Sequence, residues 1–85
     1  MEAKKGLLVK SVAGHDKGYF VIVKTENNFV YLANGKSRKL DNPKRQNIKH
    51  IRLTVKEIVL EEMTDRKLRK LLNEYSTGSE ESAGE

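Results

Sequence analysis

Between Asp41 and Arg52 the chain reads Asp-Asn-Pro-Lys-Arg-Gln-Asn-Ile-Lys-His-Ile-Arg. Lys44, Arg45, Lys49, Arg52 and His50 are five potential cations there, against the single acid Asp41. Asn42, Gln46 and Asn47 add amides, and Pro43 is the only proline of the protein. Arginine forks and lysine point charges at this density suit phosphates better than a small-substrate pocket. Phosphate contacts supply most of the affinity of nucleic-acid binding and need no catalytic geometry. Gln46 and Asn47 have the donors and acceptors to reach a 2′-hydroxyl or a base edge. Three further cations, Lys36, Arg38 and Lys39, stand just upstream.

Other chemistries find little footing. With no Cys there is no thiolate metal site and no disulfide, and His15 and His50 are too far apart to make a helical i, i+4 pair. Ser11, Ser37, Asp16 and Asp41 form no nucleophile elbow. The loop from Gly14 to Gly18 lacks the spacing of a nucleotide-binding loop and precedes a strand rather than a helix. The expectation is a non-catalytic chain with no cofactor and no metal. His50 has two readings, a half-buried histidine holding a strand end or a contact to RNA.

The elements that must hold this segment are short. Eighty-five residues make one domain, and such a chain buries only about 60–65% of its unfolded surface. Gly6 to Ala13 reads as a first strand, followed by a turn with Asp16 between Gly14 and Gly18. That turn can present His15 and Lys17 outward. Tyr19 to Val23 is a nearly continuous β-branched and aromatic run, as in a strand buried on both faces. Asn27-Asn28 suits a tight turn into a strand over residues 29–33. Asn34-Gly35 is the strongest two-residue hairpin signal, and it predicts a polar edge strand over residues 36–40. Pro43 interrupts, and a last strand resumes over 48–53.

Residues 55–62 read equally as strand or helical turn. Thr64 has the character of a helix N-cap, with Asp65 in the first turn. Leu68, Leu71, Leu72 and Tyr75 then recur at i, i+3, i+4 and i+7, one face of a helix. Residues 77–85 carry no apolar side chain larger than Ala, which predicts a disordered acidic tail. The division expected is a barrel over 1–54, a helical extension packed on it over 55–76, and the tail over 77–85.

Charge follows this division. Residues 1–56 hold 13 Lys/Arg and 4 Asp/Glu, a net of +9; residues 57–85 hold 4 and 8, a net of −4. The basic part calls for a polyanionic partner. No apolar run approaches the ~20 residues of a membrane span, and the N-terminus lacks the features of a signal peptide. Together with the absence of Cys, this points to the cytoplasm.

The stretch GLLVKSVAGHDKGYFVIVKTENNFVYLANGK (Gly6–Lys36) resembles a KOW motif, in which a strand, a Gly-containing turn and a second strand form part of an SH3-like barrel. Gly6, Gly14, Asp16, Lys17 and Gly18 carry the match. The continuation GKSRKLDNPKRQNIKHI (Gly35–Ile51) is similar to bacterial KOW-domain RNA-binding proteins related to the large-subunit ribosomal protein fourteen-e family. Asn34 departs from that pattern, which has an acidic residue before Gly35. The resemblance implies a mainly β protein, a five-stranded SH3-like barrel with a C-terminal helix. It also implies binding to structured ribosomal RNA, as a ribosomal or ribosome-associated protein in translation or ribosome assembly. The residues expected at that interface are Lys17, Arg38, Lys39, Lys44, Arg45, Asn47, Lys49, His50 and Arg52. The other function class is a protein-interaction module, with contact to polymerase or to a ribosomal protein.

Overall fold

A computed structural model describes residues 3–12 and 18–84, with side chains up to residue 76. Five strands form one antiparallel sheet, and one helix packs against it. The strands are β1 (Leu7–Ser11), β2 (Gly18–Glu26), β3 (Phe29–Ala33), β4 (Lys44–Asn47) and β5 (Ile51–Glu57), and the helix is α1 (Asp65–Gly84). In space the strands run β4-β3-β2-β1-β5. Among the described residues no ladder joins the two edges, β4 and β5. Among the described residues no helix is long and apolar enough to cross a membrane.

Both faces of the sheet are buried at its centre. Leu7, Val9, Phe20, Ile22, Val30, Leu32 and Ile51 form one core, with Ile48 and Leu53 against it. On the other face Leu8, Val21 and Ala33 meet Leu68 and Leu72 of α1. Alternation explains the division, since successive side chains of a strand point to opposite faces. Phe20 and Ile22 thus enter the first core and Val21 the second, as the continuous apolar run of β2 predicts. The register shifts between Leu7 and Val9 in the β1–β5 pair, and between Ile22 and Lys24 in the β2–β3 pair. Such irregularities bend a strand and increase its twist.

Local chemistry sets the turns and the helix start. Asn27 takes φ 51° between β2 and β3, a conformation that Asn tolerates better than most residues. Thr64 caps α1: its Oγ1 accepts from the Lys67 amide at 3.2 Å and its carbonyl from the Leu68 amide at 2.8 Å. The four apolar positions of α1 then cover the sheet, and Tyr75 meets Tyr19 edge-to-face at 5.1 Å between ring centroids.

Three expectations need correction. Asn34-Gly35 does not close a two-residue hairpin, and residues 36–40 are not a strand. Instead Asn34 Oδ1 accepts from the Lys36 and Arg38 amides at 2.9 Å each, and the Arg38 carbonyl accepts from the Asn34 and Gly35 amides. These local bonds compete with a ladder and close the chain into a loop. The fourth strand is Lys44–Asn47, directly after Pro43. Finally, residues 48–50 are a 3₁₀ turn rather than strand. Asn47 caps that turn by accepting from the Lys49 amide at 2.9 Å, and the Ile51 amide closes it onto the Ile48 carbonyl.

Residues 55–57 finish β5, and no regular element covers 58–60. The α1 backbone continues over 77–84, the stretch expected to be a disordered tail. Each residue added to a formed helix gains a hydrogen bond without a new nucleation cost, and no proline intervenes. The side chains of 77–85 lie outside the described residues.

Candidate nucleic-acid interface

The basic segment is carried by three consecutive backbone forms: strand β4, the 3₁₀ turn and strand β5. This splits its side chains between faces. In the β3–β4 register Lys44 lies opposite Leu32 and Gln46 opposite Val30, both partners belonging to the first core. Lys44 and Gln46 are half-buried there. Arg45 lies opposite Tyr31 and Asn47 opposite Phe29, on the other face. Lys44 and Arg45 therefore leave β4 on opposite faces of the sheet.

The Arg45 face has a defined arrangement. The Arg45 guanidinium carbon stands 3.8 Å from the centroid of the Phe29 ring. Lys24 Nζ lies 5.5 Å from the Tyr31 centroid, and the Tyr31 hydroxyl donates to Glu26 Oε1 at 3.0 Å. Cation–ring contacts at exposed sites stabilise by about 0.5–1 kcal/mol each and hold the cation in place. The hydrogen bond to the Glu26 carboxylate is the main cause that raises the Tyr31 pKa, with partial desolvation and the Glu26 charge adding to it and Arg45 opposing it.

The remaining expected residues are dispersed. Lys49 and His50 are exposed on the 3₁₀ turn, and the His50 carbonyl accepts from the Val12 amide at 3.1 Å. His50 is thus not the half-buried strand histidine that is one of its two sequence readings. Arg38 is half-buried and Lys39 exposed in the loop after Gly35. Asn47 is half-buried, and its side-chain oxygen is engaged in its cap. Arg52 is exposed on β5 and lies opposite Lys10 of β1. Lys17 lies outside the described residues, together with the rest of the turn from Ala13.

A second basic region lies outside the interface expected from the sequence. Lys10, Lys36, Arg66, Arg69 and Lys70 line an open groove between α1 and the sheet. Lys10 Nζ lies 5.8 Å from the Tyr19 ring centroid. The signal was available in part. Arg66, Arg69, Lys70 and Asn73 repeat at i, i+3, i+4 and i+7, on the side of α1 away from its leucines. Nothing in the spacing could add Lys10 and Lys36 to them. Neither a comparison with protein-family models nor one with curated proteins returns a match for this chain.

Proposed function

We propose that this chain is a non-catalytic RNA-binding module, an SH3-like barrel of KOW type that binds structured ribosomal RNA. Its place is as a ribosomal or ribosome-associated protein of the cytoplasm, acting in translation or ribosome assembly. The observation that carries this reading is the exposure of Arg45, Lys49, His50 and Arg52 on consecutive, hydrogen-bonded backbone elements. A rigid scaffold lowers the entropy lost when cations meet phosphates. The guanidinium held over Phe29 is already oriented, so its fork loses less freedom on contact. Bent strands and a doubly buried β2 support the barrel architecture. In this reading the phosphate contacts set affinity, and shape and 2′-hydroxyl contacts distinguish RNA from DNA.

Binding to purified large-subunit ribosomal RNA, measured across salt with duplex DNA as competitor, tests the function. The expected result is preference for the folded RNA and a log affinity that falls by about 0.7–0.9 per phosphate contact with log salt. The joint variant Lys44→Ala and Arg45→Ala tests the mapping. Arg45, the exposed member of the pair, should carry the loss, about 4–6-fold near 0.15 M salt, while unfolding free energy changes by less than ~1 kcal/mol. Unchanged affinity would remove β4 from the interface, and equal affinity for any polyanion would remove the ribosomal assignment.

A further inference from the structure

Three separated stretches bring five cations to one place. Lys10 comes from β1, Lys36 from the loop after Gly35, and Arg66, Arg69 and Lys70 from the first two turns of α1. The groove they line has a volume of about 810 Å³. Among the described residues no carboxylate lines it.

The fold holds this cluster together by direct backbone contact. Gly35 has φ 74°, and a Cβ there would collide with the Asp65 carbonyl oxygen and come 3.2 Å from the Arg69 nitrogen. Only a residue without a side chain lets the loop press so closely on the first turns of α1. The Leu40 amide, donating to Asp65 Oδ1 at 2.8 Å, ties the far side of the loop to the same helix end. Lys36 is thereby fixed beside Arg66, Arg69 and Lys70.

In the free protein this clustering is unfavourable. Arg66 with Arg69 and Arg66 with Lys70 are like-charged pairs at i, i+3 and i, i+4, and such pairs destabilise a helix. They also lie at its N-terminal end, where the helix dipole disfavours cations. A bound polyanion reverses the sign of both effects. Of the side chains that line the groove only Leu72 and Tyr19 are apolar, against five cations, and Leu72 is already buried against the sheet, whereas a peptide site draws its energy from several apolar anchors. Arg52, the cross-strand neighbour of Lys10, connects the groove with the cations of β5.

We propose that this groove is a second phosphate track, in which Lys10, Lys36, Arg66, Arg69 and Lys70 hold the backbone of the same folded RNA as it continues past Arg52. This rests on the RNA-binding reading above. The groove contributes affinity at least equal to that of β4.

The test is the joint variant Arg66→Gln and Lys70→Gln, with purified large-subunit ribosomal RNA as the probe. Gln keeps helix propensity close to that of Arg and Lys. Affinity should fall about 10–30-fold near 0.15 M salt, and the salt slope should lose about 1.4–1.8. The thermal midpoint of the free protein should stay equal or rise, because repulsion is removed. Lys36→Gln, a loop substitution outside the helix, should cost about 4–6-fold and one contact of slope, which keeps the test open if the helix variant folds poorly. Wild-type binding with both groove variants unaffected, while the Lys44 and Arg45 variant is weakened, would overturn the groove and leave the RNA reading standing. A free-protein midpoint that falls sharply would show the cations to be structural and would also overturn it. A wild type that does not bind the RNA at all removes the function and the track together.

Discussion

The β4-to-β5 segment and the α1 groove are both rich in cations, but they are assembled in opposite ways. The first is contiguous in sequence, and its geometry comes from near neighbours: the Asn47 cap, the 3₁₀ turn and the pairing of β4 with β3. The second draws on residues from position 10 to position 70 and exists only where the helix is docked. Contiguity scattered the first set, since the alternation of β4 sends Lys44 and Arg45 to opposite faces. Docking gathered the second set, which the chain spreads over 60 positions. Density of charge along a chain is thus a poor guide to density on a surface.

The comparison predicts that the groove is the more fragile region. Leu68 of α1 is fully buried against the sheet, and Leu68→Ala should cost about 2–5 kcal/mol in urea unfolding. Amide exchange should then accelerate in α1 more than in the β3–β4 ladder. A uniform acceleration would show that the two regions open as one unit, and the contrast between them would break.

A smaller effect is expected at the loop–helix contact. Gly35→Ala places a side chain at positive φ, which costs about 1–2 kcal/mol by itself, and it meets backbone of Asp65 and Arg69 as well. Gly18→Ala also has positive φ, yet nothing lies within 4 Å of its Cβ position. The Gly35 variant should therefore lose more stability than the Gly18 variant, and its amide shifts should spread into the start of α1 but not into β4. Equal losses would mean that the loop does not position the groove.

The least effect tests the opposite region alone. Hydrogen bonding to Glu26 holds the Tyr31 pKa above its ordinary value by favouring the protonated phenol. In Glu26→Gln the carboxylate charge is gone, so the pKa should fall toward the ordinary tyrosine value. Tyrosinate absorbance against pH reads this directly. Because Arg45 opposes the shift, Arg45→Ala should move the same titration upward. Neither change should perturb amides of α1; a response there would couple the two regions.

Much of the fold was legible before any coordinates. The unbroken apolar run of β2, the Asn27 turn, the Thr64 cap and the apolar face of α1 each follow from side-chain chemistry within a few residues. The hairpin expected at Asn34-Gly35 failed because the Asn34 side chain found backbone partners in its own loop, and because Gly35 is used against α1 rather than in a hairpin turn. The residues 36–40 therefore never joined the sheet, and Lys44–Asn47 took the edge position instead.

By itself the sequence determined the helix and its capping, the strands that build both cores, and an excess of cations suited to phosphate. It also put the net positive charge in residues 1–56 and a net of −4 in the rest. Tertiary structure decided which of these cations stand together. Helical spacing keeps Arg66, Arg69 and Lys70 off the leucine face, and docking of that face on β1 and β2 brings Lys10 and Lys36 beside them. Which charges share a surface depends on strand register and helix docking, both set by long-range burial, and neither appears in a linear count of charge.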